Sequence, residues 1–297
     1  MARKNIILTQ SVRAAKEGAG RTLSAAGYVK LLRLGNCAMG ALGALLAAII
    51  SVGLEGLEDY AIEVAVSMAT VVCFTAGGNS YNDYFDRDVD KVAHPERPIP
   101  SGTVDPQSAL LLSLILFALS LSLSFFIGLL PVAIVITSLL VMVLYERFLK
   151  AEGLAGNLSI SWLTGALFLL GGAAVESIEL AWILAALAFL ATLGREIAKD
   201  IQDIEGDRGS RRTLPMRIGP RRAGVAASAS FVSAVVLSPL PYVLDLLSLW
   251  YIPVVLAADA IFIYCALILF RNPERGQKIA KLAMMVSLIA FLIGGLT

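Results

Sequence analysis

The stretch "NDYFDRDVDKVAHPERPIPSG", residues 82–102, sets five acidic side chains, three basic ones and the only His directly behind an apolar run. Asn82, Asp86 and Asp90 recur at i, i+4 and i+8, so on a helix they share one slowly drifting face. Asp83 adjoins that face and Asp88 points away from it. A second acidic run, "GREIAKDIQDIEGDRGSRRTLPMRIG", occupies residues 194–219. There Glu196, Asp200, Asp203 and Asp207 stand at i, i+4, i+7 and i+11, again one stripe, with Arg195, Lys199 and Gln202 on another. Gly206 marks a helix end or an unwinding point. Each run continues into a basic connection that contains proline, which hints at two related halves.

Carboxylates crowded at a membrane edge need a compensating cation. Oxygen donors without Cys or His favour Mg²⁺ or Ca²⁺ over zinc. Mg²⁺ usually takes one or two carboxylates and completes its shell with water and substrate phosphate. Two such stripes with interleaved Arg and Lys describe a clamp for a diphosphate bridged by metal ions. A single acidic stripe would serve equally well as a solvated loop. Two stripes matched in position, phase and basic sequel favour chemistry.

The elements that carry these stripes are hydrophobic. Of 297 residues, 58% are apolar and 16% charged, well outside the range of soluble domains. Runs such as "ALLLSLILFALSLSLSFFIGLL" reach the length of about 20 residues that a membrane helix needs. The chain reads as an all-α membrane protein of nine transmembrane helices around a central cavity. The spans fall near residues 28–53, 61–82, 108–128, 131–148, 156–175, 180–198, 223–244, 250–270 and 279–297. Residues 1–27 form a basic N-terminal segment, and 28–297 a single nine-helix domain. All 24 Lys and Arg fall in the N-terminal segment, near the start of the first span, or around the connections after spans two, four, six and eight. The positive-inside rule places these parts, both acidic motifs and the N-terminus in the cytoplasm of a multi-pass cell-membrane protein. The N-terminal residues lack the apolar core of a secretory signal. Cys37, Cys73 and Cys265 lie within spans at no paired spacing, which implies neither a disulfide nor a metal site.

"NDYFDRDVD" resembles the N-D-x-x-D-x-x-x-D motif of the UbiA superfamily of intramembrane prenyltransferases, and "DIEGD" its second D-x-x-x-D motif. Within it, "RPIPSG", "YERFLKAEGLAGN" and "REIAKDIQDIEGD" look most like the archaeal branch that makes ether lipids. The resemblance implies Mg²⁺ as cofactor, held by Asn82, Asp86, Asp90, Asp200, Asp203 and Asp207. It implies an isoprenyl diphosphate donor, with ionisation to an allylic cation followed by attack of the acceptor. In the archaeal branch, a geranylgeranyl group passes to geranylgeranylglyceryl phosphate. Asp86, Asp90, Asp203 and Asp207 then stand at the catalytic positions.

Charge on the departing pyrophosphate calls for preorganised cations. Arg87, Lys91, Arg97, Lys199 and Arg212 are candidates, with Asn82 and Asp83 beside them. Arg33 and Lys150 are placed to hold an acceptor phosphate. Asn36 and Asn157 line the site or pack helices. Tyr81, Tyr145 and Trp162 are candidate walls. Relatives often space Tyr and Lys four apart near the end of span four, whereas Tyr145 and Lys150 are five apart, which leaves open whether Arg147 or Lys150 reaches the site. His94 reads as solvated. Asp259, within span eight, is a buried polar contact or a cavity residue.

Three other readings share some of these features. A phosphatidyltransferase of the CDP-alcohol type would carry one extended aspartate motif, which is absent. A cation transporter would place its acids near the bilayer midplane. An aromatic acceptor, as in quinone or haem O synthesis, would use the same donor site. Membrane lipids are the expected surroundings, and no nucleic-acid partner is expected.

Overall fold

The computed structural model describes residues 24–207 and 211–297, with the side chain of Asp207 outside that description. Most of the basic N-terminal segment, residues 1–23, lies outside the described residues. The described residues are helical without strands. The long elements are α1 (Ala25–Leu32), α2 (Leu34–Gly56), α3 (Ala61–Ala93), α4 (Pro106–Ser124), α5 (Leu129–Leu144), α6 (Leu154–Ala174), α7 (Ala181–Gln202), α8 (Pro220–Leu237), α9 (Tyr251–Ile268) and α10 (Pro273–Leu296).

Local sequence explains where several of them start. The side chains of Ser24, Asp105 and Asn272 accept backbone N–H groups at the starts of α1, α4 and α10. Each thereby satisfies a donor that a helix N-terminus leaves over. Proline opens α4, α8 and α10, where its missing N–H costs nothing.

Eight stretches of the described residues are long and apolar enough to cross a membrane. The first runs for 60 residues, Leu34–Ala93. It comprises α2 and α3, packed side by side and joined by the 3-10 turn Leu57–Tyr60. The protein is therefore a multi-pass membrane protein. Helix α3 has 33 residues, about 50 Å at 1.5 Å per residue. A hydrocarbon layer of about 30 Å leaves several turns over, and the last of these carry the first acidic motif.

Chain neighbours pack side by side from α2 to α10, and α10 returns to α2, closing the bundle. Small residues permit the close crossings that membrane packing relies on. At Gly171 of α6, an added Cβ would sit 2.2 Å from the Ala44 carbonyl oxygen of α2. Between α6, α7, α8, α9 and α10 lies an apolar cavity of about 220 Å³, walled by residues such as Phe168, Leu184, Val255 and Phe291.

The first span departs from the expected single helix. It breaks at Arg33, which has a left-handed backbone (φ 51°, ψ 60°) between α1 and α2. The boundary drawn at residue 27 consequently falls inside α1. No Gly or Pro stands at residues 28–34 to signal the break, so its cause is tertiary.

Candidate active site

The first motif occupies the last turns of α3, and its carboxylates are held by cations from other elements. Asp83 is 1% exposed and pairs with Arg33, with Arg97 Nη1 at 3.9 Å. Arg97 donates to Asp90 Oδ2 at 2.6 Å, and Asp90 is 3% exposed. Removing one partner of a buried ion pair costs about 3–5 kcal/mol, against about 1–2 kcal/mol for left-handed backbone at a non-glycine residue. Losing Arg33 would strand the buried Asp83 carboxylate, so the pair opposes relaxation of the left-handed turn. The loop that supplies Arg97 is fixed in turn: Ile99 and Val104 are buried in a cluster with Leu31 of α1, and Lys30 Nζ donates to the Glu96 carbonyl at 2.7 Å.

Lys150 joins the two motifs. Its Nζ donates to Asp86 Oδ2 at 2.6 Å and to Glu146 Oε2 at 3.1 Å. Asn82 Nδ2 donates to the other Glu146 oxygen at 2.8 Å. Lys150 also lines a polar cavity of about 50 Å³ shared with Tyr145, Asn157, Glu196, Lys199, Asp200 and Asp203. Asn157 Nδ2 donates to Asp200 Oδ2 at 2.9 Å, so α6 anchors the second stripe. The two aspartate-rich helix ends thus meet at one end of the bundle.

A wide turn at Tyr145–Leu149 explains how two residues spaced five apart share this cavity. There the Lys150 N–H bonds the Tyr145 carbonyl at 2.9 Å, an i→i+5 closure of the kind often found at functional sites. Lys150 ends 5.8 Å from the Tyr145 ring centroid. Arg147 lies instead over the Phe85 ring. Of the two cations, Lys150 reaches the cavity.

Other expected residues fall elsewhere. Arg87 donates to the Tyr84 carbonyl and stacks on the Tyr84 ring. Lys91 is exposed and pairs with Asp88, which points away from the stripe as its spacing predicts. Asn36 is exposed on α2 and does not line the polar cavity. Arg212 is exposed too; its neighbour Arg211 lines the cavity. The side chain of Asp207 lies outside the described residues. His94 is half exposed beside Glu96. Tyr81 is buried against Phe85 and Phe117, and Trp162 packs in a core cluster with Val135 and Leu170.

Three residues escaped the reading of the sequence. Spacing does not tell Arg211 from Arg212, and it is Arg211 that lines the cavity. Glu146, in "YERFLK", carries an i, i+4 relation to Lys150 that could have revealed it. Asn79, three residues before Asn82, donates to the Leu32 carbonyl at 2.8 Å; nothing in its spacing announces that contact.

Asp259 proves to be both buried and a cavity residue. It accepts from Ser238 at 2.7 Å and lines the apolar cavity. That cavity lies below the polar one on shared helices: Ile160 borders the polar cavity and Thr164, one turn on, the apolar one.

Whether Mg²⁺ suits these residues depends on the donor set. Among the described residues no group of three acidic, His or Cys side chains converges closely enough to hold a metal alone. The nearby donors are oxygens of Asn82, Asp86, Asp90, Asp200 and Asp203, the type that Mg²⁺ takes one or two at a time while phosphate supplies the rest. The residues fit a metal that arrives with its substrate.

A closed helical bundle with acidic and basic side chains gathered at one end, above an apolar cavity, has the architecture of an integral membrane enzyme for a charged-headed, greasy substrate. The chain belongs to the UbiA prenyltransferase family, whose profile matches residues 36–289. It is 40% identical over 275 residues to the digeranylgeranylglyceryl phosphate synthase of Methanothermobacter thermautotrophicus, covering 90% of this chain and 95% of that one. It is also 40% identical over 272 residues to the synthase of the same name from Natronomonas pharaonis, covering 91% and 97%. A solved digeranylgeranylglyceryl phosphate synthase structure superposes with a TM-score of 0.83 at 33% identity, over 91% of this chain and 97% of that one. The UbiA homologue from Archaeoglobus fulgidus bound to GPP and Mg²⁺ shares the fold, with a TM-score of 0.62 at 16% identity, over 90% and 99%.

Proposed function

We propose that this protein transfers a geranylgeranyl group from its diphosphate to geranylgeranylglyceryl phosphate in archaeal ether-lipid synthesis. The observation that carries this reading is Lys150, which pairs with Asp86 of the first motif while lining the cavity of the second. Support for the lipid acceptor comes from the curated relatives at 36–40% identity over about nine-tenths of this chain. The bundle crosses the membrane nine times in this account, with α2 and α3 as separate crossings and both motifs on the cytoplasmic side.

The hard step is cleavage of the allylic C–O bond, which leaves charge on both fragments. Asn82, Asp86, Asp90, Asp200, Asp203 and Asp207 would hold Mg²⁺, and the metal would supply positive charge to the diphosphate. Lys150, Arg97, Lys199 and Arg211 add cations where the pyrophosphate forms, and Arg33 adds one at the mouth of the site, the kind of electrostatic stabilisation that dominates many catalysed steps. The apolar cavity below takes hydrocarbon and keeps water from the allylic carbon. The acceptor hydroxyl oxygen forms the new C–O bond, and its proton leaves as the pyrophosphate departs.

The test is incubation of purified protein and Mg²⁺ with labelled geranylgeranyl diphosphate, offering geranylgeranylglyceryl phosphate or 4-hydroxybenzoate. Transfer to the glycerol phosphate, lost in Asp86→Ala and Asp203→Ala, supports the reading. Transfer to the aromatic ring alone overturns the acceptor and keeps the site.

A further inference from the structure

Helices α1 and α2 lie end to end, interrupted only by Arg33. In a continuous helix the Asn36 N–H would go to the Leu32 carbonyl; here it goes to the Arg33 carbonyl at 2.8 Å. The Leu32 carbonyl is thereby released. A left-handed arginine persists only where surrounding contacts over-determine it. Both main contacts come from one face of α3. Asn79 Nδ2 donates to the released Leu32 oxygen at 2.8 Å, and Asp83, one turn later, pairs with the Arg33 guanidinium. The Cys37 thiol lies 3.3 Å from the same carbonyl, a far weaker donor.

We propose that Asn79 is a positioning residue: by capturing the Leu32 carbonyl it holds the turn at Arg33 that carries the guanidinium to Asp83 at the mouth of the site. The pair with Asp83 uses part of a five-donor fork, and the Arg33 side chain remains 33% exposed. The donors left over can face a phosphate oxygen. Asn79 itself touches no substrate. It acts by fixing the direction of Arg33, and its amide must donate to do so. The inference rests on the proposed function only in the identity of the anion that Arg33 serves.

Two readouts test it. The first is a double-mutant cycle, with KM measured separately for geranylgeranyl diphosphate and geranylgeranylglyceryl phosphate. Asn79→Ala raises one of these about tenfold, the scale of a lost hydrogen bond that leaves a polar group unsatisfied, with kcat changed less than about threefold. The substrate affected identifies the phosphate that Arg33 serves. In an Arg33→Ala background, Asn79→Ala adds less than about twofold, because the residue it positions is gone. The second readout is amide hydrogen exchange, which needs no activity. Asn79→Ala and Asn79→Asp, the latter of the same size without an N–H to donate, accelerate exchange at Asn36 and Cys37 while α3 stays protected. Equal Asn79→Ala effects in both backgrounds overturn the proposal. So does unchanged exchange at Asn36 and Cys37 in folded Asn79→Asp. If the protein transfers no prenyl group to any acceptor, the function reading fails, and the exchange result still decides the role of Asn79.

Discussion

The two aspartate-rich helix ends sit at one end of the bundle but are built differently. On α3, Asp83, Asp86 and Asp90 are each held by a cation from outside the helix: Arg33, Lys150 and Arg97. On α7, Asp200 and Asp203 border an open polar cavity together with Lys199 and Arg211. The first motif is tied to cations that arrive from three other parts of the chain, and the second is anchored by Asn157 of α6 while it lines the polar cavity. The difference suggests a division of labour. For α3 carboxylates to hold a metal–diphosphate, Lys150 and Arg97 must turn from carboxylate to phosphate, an exchange of one anion for another at nearly constant charge.

The sharpest way to break this comparison is to remove one carboxylate from each side. Asp86→Ala and Asp203→Ala are each expected to lower the initial rate of labelled prenyl transfer by about 10²–10³-fold or more, the scale on which a single electrostatic group acts in catalysis. A large loss on one side only would mean that a single motif suffices.

A smaller effect is expected at the joint. Lys150→Met leaves the carboxylates of Glu146 and Asp86 facing each other without their shared cation. We expect about 10–100-fold slower transfer and a loss of stability of roughly 3–5 kcal/mol, typical of a broken buried pair, read by thermal unfolding in detergent. Arg147→Met, three residues earlier on the same segment but over the Phe85 ring, should change the rate by less than about threefold. Equal losses would refute the choice of Lys150 over Arg147.

The smallest effect belongs to the pair outside the array. Asp88 and Lys91 are exposed on the far side of α3, and exposed pairs contribute little. Asp88→Asn and Lys91→Ala should each leave transfer rates within about twofold of wild type. A larger change would extend the site to a face assigned to solvent.

Much of this was legible in the residues. Most of the expected spans overlap one helix each, because long apolar runs bounded by charge or by Pro leave little choice of element. Helix α3, however, runs eleven residues past the expected end at 82, α10 starts six before 279, and the first span is broken at Arg33. Periodicity put Asn82, Asp86 and Asp90 on one face and Asp88 off it. What could not be read was which cation meets which carboxylate. Arg87, Lys91 and Arg212 are as close in sequence to the motifs as Arg97 and Arg211, yet they point elsewhere, since direction is set by contacts between distant elements. Asn79 gains its role only when α3 meets α1, whereas Glu146 carries a local signal in its i, i+4 spacing to Lys150. The break at Arg33 was invisible because its support, Asn79 with Asp83, lies more than 40 residues away in the chain.

The wide turn at Tyr145–Leu149 has a consequence for how such chains are compared. A surplus residue confined to one i→i+5 closure leaves the helix before it and the cavity after it undisturbed. Two sequences can then differ by a gap at this point and still present the same tyrosine and lysine to the same space. An alignment that treats the spacing as part of the signature would sort such proteins apart. One that lets the backbone absorb the extra residue would keep them together.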